Sequence, residues 1–347
     1  MNFENNNKFL LDYANIDAGV GHSMGLFNSF IKIAIYNHLI PTYSEKQLKK
    51  SNNADFKFIL KKNIKPWLGK GLAETHNIGN SMNDFFMLGK NEVSREKVES
   101  LIRRRKIKVI ELPAPISPDK SIDDSEKYSE INNIISYYKD ENNIAFVLPK
   151  GRKDGDCEYL SSRSWFLNKY KAARKLNPIE SYFDTSKINV AIHIRRGDLL
   201  PGRGFSHLAS RMLPDTWYAS IINQLYELFG NKISVHIYSE GKNKKYFNEL
   251  GIESNWNYCD MIDYPVDLFQ HIDEPWYLDL EHMINADILV TAKSGFSHLA
   301  AVFNEKGIKL TIPMWHSFEG CTNILSVSDQ NPSFDTKILK EFFINRI

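Results

Sequence analysis

Short apolar runs alternate with helix-like stretches along most of this chain, and that alternation constrains the fold more than any other feature. In the first half, Phe9–Tyr13 reads as a strand and is followed by the Gly-rich turn Asp17–Gly25. Leu26–Leu39 then has helical periodicity, which Pro41 stops. Glu92–Arg105 reads as a helix, Ile107–Leu112 as a strand, Glu126–Tyr138 as a helix, Ile144–Leu148 as a strand and Ser161–Lys175 as a helix. The second half repeats the rhythm. Strand Ile188–Ile194 leads to helix Pro214–Phe229, with proline suited to a helix start. Strand Ile233–Tyr238 precedes helix Lys242–Leu250, and helix Trp276–Ala286 precedes strand Ile288–Thr291, helix Phe296–Phe303 and strand Ile308–Ile312. Strands separated by helices pair in parallel, because each crossover returns the chain to the same edge of the sheet. With 347 residues and ~150 residues per domain, about two domains are expected. The pattern therefore predicts an α/β protein of two Rossmann-like domains with parallel sheets facing a cleft. The turn-rich stretch Asn177–Ser186 marks the boundary, giving an N-terminal domain over 1–182 and a C-terminal one over 183–347.

Composition narrows the function. Forty-four Lys+Arg against 42 Asp+Glu leave a net charge of +2, which argues against a nucleic-acid partner. The short run Arg103-Arg-Arg-Lys106 reads as a solvated helix face. Cys157, Cys259 and Cys321 are too few and too scattered for a disulfide framework or a zinc site, and fit a reducing compartment. The polar, Asn-rich start lacks the pattern of a signal peptide, and no apolar run approaches the ~20 residues of a membrane span. A soluble, cytoplasmic protein is the expectation. Leu112–Asp124 reads as a surface loop, and Tyr43–Asn91 as an irregular insertion anchored by Trp67, Phe85 and Phe86. The hexapeptide Gly-Phe-Ser-His-Leu-Ala occurs at 204–209 and 295–300 in different flanks, and reads as coincidence.

Three segments carry chemistry. His193-Ile-Arg-Arg-Gly-Asp198 sits at the carboxyl end of a strand, where open α/β sheets bind ligands. Arg195 and Arg196 could grip a pyrophosphate through charge-assisted bonds, Gly197 allows a sharp turn and Asp198 could hold the loop. Asp279 to Ser297 reads helix, strand, then a Lys-Ser-Gly turn opening another helix. The N–H groups of Gly295, Phe296 and Ser297 with the hydroxyls of Ser294 and Ser297 would form an anion site there. An ordinary Ser N-cap on a core helix is the competing reading. Gly19-Val-Gly-His-Ser-Met-Gly25 has the position of a nucleotide-binding turn without the G-x-G-x-x-G spacing, and puts Gly21 and His22 at the end of the first strand. Asp154-Gly-Asp156 has the form of a metal-binding acidic pair, but Lys150, Arg152 and Lys153 crowd it. No metal site is expected.

These residues resemble a known family. His193-Ile-Arg-Arg-Gly-Asp198 is similar to the H-x-R-R-x-D motif of the α1,2- and α1,6-fucosyltransferases, whose superfamily includes the protein O-fucosyltransferases. Met212–Tyr218 resembles the L-P-x-x-Y-Y segment of α1,2 members, Asp279–Ser297 the later motif, and Gly21-His22 the N-terminal Gly-rich loop. The likeness covers about half the chain, mainly 188–305 and 9–40. It implies a GT-B-like fold in which the C-terminal domain holds GDP-fucose. Arg195 would contact the β-phosphate, His193 the nucleotide and Asp279 the guanine edge, and the Ser294–Ser297 turn would hold the pyrophosphate. It implies an inverting transfer to a hydroxyl of a glycan or protein, with no metal or other cofactor.

The sequence departs from the family in two places. The loop Leu199–Gly204 lacks the acid that α1,6 members carry after the motif, so the general base has no counterpart there. His22 is the candidate base, with Asp17 and Glu74 behind it. The turn Lys293–Ser297 has Lys and Gly where many members have Ser or Phe, which leaves another nucleotide sugar open. A non-catalytic nucleotide-sugar or glycan-binding protein is the remaining alternative.

Overall fold

The computed structural model describes residues 7–13, 19–44, 82, 85–89, 92–116, 124–150, 155–199, 210–241, 246–247, 253–254, 262–314 and 316–344. These form two compact units, one running through Pro178 and the other beginning at Ile179.

The first unit contains β1 (Lys8–Leu11), α1 (Val20–Tyr36), β2 (Ile40–Tyr43), β3 (Val93–Ser94), α2 (Arg95–Arg103), β4 (Lys108–Glu111), α3 (Asp124–Lys127), α4 (Ser129–Tyr137), β5 (Ile144–Val147) and α5 (Arg163–Leu176). Its five strands are all parallel, in the order β3-β2-β1-β5-β4. Phe9, Leu11, Ala145, Val93 and Val98 pack into one core cluster, so β1 is buried between its neighbours. Pro41 does not merely stop α1. It lies within β2, opposite Leu10. The run Arg103–Lys106 is exposed at the end of α2.

The Gly-rich segment corrects the expected turn. From Val20 onward it is helix, so Gly21, His22 and Gly25 belong to α1, and Asp17 lies outside the described residues. Gly19 caps the helix, its carbonyl accepting from the N–H groups of His22 and Ser23, each at 3.0 Å. Gly25 serves a close approach: a Cβ there would stand 3.4 Å from the carbonyl oxygen of Asp156. The Asp156 N–H donates to the Gly25 carbonyl at 3.0 Å, joining α1 to the segment that follows β5.

Asp156 is committed to that junction. Its carboxylate meets Lys32 at 3.0 Å and Lys127 at 2.7 Å, and accepts from the Tyr128 hydroxyl at 2.8 Å. Burial alone would raise its pKa, but the two lysines hold it below the usual carboxylate range. Asp154 lies outside the described residues, and no group of acidic, His or Cys side chains that could hold a metal occurs among the described ones. The acidic pair is therefore a structural ion cluster at its second member.

The second unit contains β6 (Ile188–Ile194), α6 (Asp215–Phe229), β7 (Ile233–Ser239), β8 (Tyr246–Phe247), β9 (Glu253–Ser254), β10 (Asp267–Ile272), α7 (Trp276–Asn285), β11 (Ile288–Val290), α8 (Gly295–Phe303), β12 (Ile308–Thr311), β13 (Ile324–Ser326) and α9 (Thr336–Phe342). Six parallel strands make the main sheet, in the order β10-β7-β6-β11-β12-β13. All residues of β6 and β7 are buried, as expected for central parallel strands. Ile188, Val190, Ile192 and Ile194 alternate onto one face and share a core cluster with Trp217, Ile221 and Leu225 of α6. Asn189, Ala191 and His193 take the other face by the period of two.

The helix expected over Lys242–Leu250 is not present where the chain is described. Tyr246–Phe247 pairs antiparallel with Glu253–Ser254, and the remaining residues of that span lie outside the described ones. Edge strand Asp267–Ile272, strand Ile324–Ser326 and helix Thr336–Phe342 were absent from the sequence reading. The last starts at Asp335, whose side chain accepts from the N–H groups of Lys337 and Ile338. The α/β class and two Rossmann-like parallel sheets are present as expected, and they are the composition of a GT-B-like fold. No helix among the described residues is long and apolar enough to cross a membrane.

Replacing Asp156 by Asn should destabilise the chain by about 3 kcal/mol, the low end for breaking a buried pair, because Lys127 loses its carboxylate while Lys32 keeps Glu158. Urea unfolding measures it, and an unchanged midpoint would contradict this account of the cluster.

Candidate functional site

Counted in chain order, the main strands of the second unit run 3-2-1-4-5-6 across the sheet, so the order reverses between β6 and β11. Connections after these two strands leave in opposite directions and open a crevice at their carboxyl ends. The sequence puts His193-Ile-Arg-Arg at one side of that crevice and Lys293–Ser297 at the other. The structure brings them together. The Arg195 guanidinium donates to the Lys293 carbonyl at 3.3 Å, and the His193 and Phe296 rings meet edge to face at 5.5 Å.

Helix α8 opens at this crevice. Ser294 is its N-cap, its hydroxyl accepting from the Phe296 N–H at 3.2 Å. The Ser297 hydroxyl turns back, accepting from the Ala292 N–H at 3.1 Å. The Ser297 hydroxyl is thus spent on the turn, while the Ser294 hydroxyl only accepts there and keeps its proton to donate to an anion beside the first-turn backbone N–H groups. Lys293 is paired with Asp329 at 2.6 Å.

The adjacent arginines separate. Arg195 is half-buried at the crevice. Arg196 was expected to bind the same ligand, but its side chain has no exposed surface. It pairs with Asp215 at the start of α6 and donates to the carbonyls of Leu213 at 3.0 Å and Arg195 at 2.9 Å. A guanidinium with no exposed surface cannot reach a ligand in the crevice, so Arg196 as placed here stands outside the binding set. Asp198 lies in the 3-10 turn Gly197–Leu199, and the described atoms do not include its side chain. Gly197 sits at φ +31°, a backbone conformation that residues with a side chain rarely adopt, and a Cβ there would also displace the Glu240 carboxylate.

Electrostatics divide the carboxyl edge of the sheet. Burial first, then Arg195 and Arg196, pushes the His193 pKa down to about 3, so its imidazole is neutral at pH 7. Its buried Nδ1 has no hydrogen-bond partner among the described residues. Asp279, in the first turn of α7, is raised well above the usual carboxylate range by burial, then by Glu274, Glu240 and Asp273. Its Oδ1 is also buried without a partner. Carboxylates thus gather over β10 and β7, while Arg195 and the α8 N-terminus lie over β6 and β11. A bipolar ligand with N–H donors at one end and anionic oxygens at the other fits this edge.

Gly21 and His22 lie in the first unit, in the first turn of α1. His22 is exposed, and its ring comes within 3.8 Å of where a Gly155 Cβ would stand. Glu74 lies outside the described residues. Sequence reasoning missed Asp215 and Glu240. Glu240 directly follows β7, so its position at a strand's carboxyl end was the available signal. Asp215 gave none, since a carboxylate in a first helical turn is common.

No protein-family model matches the sequence, and no curated protein matches it. Among solved structures, an Arabidopsis thaliana FUT1 mutant in complex with GDP shares 12% identity at a TM-score of 0.42, over 90% of this chain and 72% of that one. POFUT1 in complex with GDP shares 11% at 0.41, over 93% and 98%. A glycosyl transferase family 9 structure from Veillonella parvula shares 10% at 0.40, over 98% and 90%. Likenesses this loose do not carry an activity across.

The two arginines give opposite expectations. Arg196→Ala should lower stability by about 3–5 kcal/mol, since it strands the buried Asp215 carboxylate. Arg195→Ala should leave the unfolding midpoint within a few tenths of a unit of denaturant while abolishing ligand binding at this crevice. Chemical denaturation of both variants, read side by side, checks it; equal midpoints would overturn the assignment.

Proposed function

We propose that the chain is a glycosyltransferase whose second unit holds a nucleoside diphosphate sugar. Within that class, we infer an inverting fucosyltransferase moving fucose from GDP-fucose to a hydroxyl of a glycan or protein. One observation carries this reading: His193, Arg195 and the α8 N-terminus converge at the reversal point of the sheet, with the buried Asp279 carboxyl on the same edge. The motif resemblance supplies the identity of the nucleotide and sugar.

The chemistry follows from the charges. The acceptor hydroxyl attacks the anomeric carbon from the face opposite GDP, and the bond from that carbon to the diphosphate oxygen breaks. Its transition state is oxocarbenium-like, as in glycoside chemistry. Charge develops on the departing diphosphate, where Arg195 and the α8 N–H groups meet it. With these cations and dipoles in place, the reading requires no metal. Losing the Arg195 contact should cost roughly 3–4 kcal/mol of transition-state stabilisation, by analogy with an oxyanion-hole donor.

The neutral His193 can serve as a hydrogen-bond partner for the nucleotide without adding charge. Asp279 is suited to guanine, whose edge presents N–H donors to a carboxyl. The acceptor's proton needs a base. His22 is the proposed one, because its imidazole is exposed in the first turn of α1 and can accept a proton. The lack of an acid in Leu199–Gly204 also favours a second reading, a nucleotide-sugar or glycan-binding protein without transfer.

Calorimetry with GDP and UDP, each with EDTA, tests the donor. GDP should bind without divalent metal; tight UDP binding with no response to GDP would sink the assignment. Guanine N–H donors favour ionised Asp279, whose free carboxyl is held protonated above the usual range. Binding should therefore release a proton, and affinity should rise as pH climbs above the ordinary aspartate range. Titrations in buffers of different ionisation heat measure this, and proton uptake would remove Asp279 from contact with the base. His22→Gln should bind GDP normally yet fail to transfer. Near-normal transfer would discharge His22 from the mechanism, and GDP binding without any transfer by the unsubstituted protein would favour the binding-protein reading.

A further inference from the structure

The geometry points to Lys293 as a further cation of the nucleotide site, held back by Asp329 and drawn to the diphosphate when the nucleotide binds. The inference rests on the nucleotide site proposed above, to which it adds a binding residue and a restraint. Three strand ends bring the residues together. β6, β11 and β13 lie in one parallel sheet, so their carboxyl ends share an edge. Arg195 directly follows β6, Lys293 stands three residues past β11 and Asp329 three residues past β13. The Arg195 guanidinium donates to the Lys293 carbonyl at 3.3 Å, so the lysine's own peptide lies against the cation that would meet the diphosphate. The next residue, Ser294, caps α8. Lys293 thus stands between Arg195 and the helix N-terminus.

Without a ligand its ammonium is engaged but not sealed in. Lys293 Nζ lies 2.6 Å from a carboxylate oxygen of Asp329, and the two side chains are 17% and 33% exposed. A pair with water at both members is weakly held. Arg196 is the contrast, since its guanidinium has no exposed surface and stays with Asp215. An ammonium carries three donors on a flexible four-carbon stem, so it can turn from one acceptor to another without moving its backbone.

Asp329 is the fixed partner. The carbonyl of the preceding residue, Ser328, accepts from the Trp217 indole N–H at 3.0 Å. The Ser328 hydroxyl accepts from the N–H groups of Gln330 at 3.1 Å and Asn331 at 3.3 Å. The turn is pinned to α6, so an anion that competes for Lys293 draws the lysine away and leaves the turn behind. A diphosphate supplies that pull. A terminal phosphate carries about −1.5 to −2 at pH 7 and three acceptor oxygens, against the single charge of a carboxylate. Arg195 neutralises only part of it, and Lys293 is the adjoining cation. The exchange breaks the contact of lysine with carboxylate and forms one with phosphate. No proton moves, and Asp329 is left to water.

Calorimetry at pH 7 on the whole chain tests the exchange, read on whichever of GDP and UDP the unsubstituted protein binds. Lys293→Met should weaken that nucleotide by about tenfold, the loss of one charge-assisted contact. Asp329→Asn should tighten it by about threefold or more, because the restraint is gone, and the gain should shrink as salt screens the charges. A pair that only shapes the turn predicts the reverse for Asp329→Asn, since losing the carboxylate would loosen both the lysine and the turn. Unchanged or weaker binding by Asp329→Asn, or wild-type affinity in Lys293→Met, would overturn the inference and leave the nucleotide site standing. Should Lys293→Met fail to fold, Asp329→Asn decides alone. Binding of neither nucleotide by the unsubstituted protein would overturn the nucleotide site and this inference with it.

Discussion

The buried pair of Arg196 and Asp215 is the contact on which the candidate site depends. It ties the last turn of chain after β6 to the first turn of α6. Two cation-bearing residues in succession at a strand end would otherwise compete for the same space. By drawing Arg196 inward, the pair fixes the peptide that carries Arg195 and leaves that side chain at the crevice. The Arg196 guanidinium also donates to the Arg195 carbonyl, so the fixing is direct. A buried ion pair adds little net stability against an apolar substitute, but removing one partner is costly. Its role here is positional.

From that fixed point the edge of the sheet acquires its polarity. His193 is kept neutral because its ring is buried beside two guanidinium groups. Burial first, then Glu274, Glu240 and Asp273, push the Asp279 carboxyl well above the usual carboxylate range. The same low-polarity environment acts on both groups and disfavours the charge of each. What remains charged is Arg195 on one side and the exposed carboxylates on the other. Helix α8 adds its N-terminus beside Arg195, held in place by the Ser294 and Ser297 hydroxyls.

The first unit uses a comparable device for a different end. Asp156 draws two lysines and a tyrosine inward, and Gly25 lets its backbone approach α1. The segment became helical from Val20 although it holds Gly21 and Gly25, because tertiary contacts outweighed the ~1 kcal/mol that a glycine such as Gly25 costs in a helix interior. Neither contact is local. The helix and the aspartate come from opposite ends of the unit.

The chain by itself determined the alternation of strands and helices, and with it the parallel sheets. It also determined the boundaries of β6, because Ile188, Val190, Ile192 and Ile194 recur with a period of two between Lys187 and Arg195. The location of the candidate site was legible too, since ligands lie at strand carboxyl ends and the His-Ile-Arg-Arg motif stands at one. The sequence offered Arg195 and Arg196 alike as ligands for a pyrophosphate. Only the tertiary structure decided which of them was spoken for, because the deciding acid, Asp215, comes from another element. It alone decided that Gly19–Gly25 is a helix start rather than a loop, and that Ile324–Ser326 is a strand. Short edge strands have too few residues to show a period, and their pairing energy comes from a neighbour already in place.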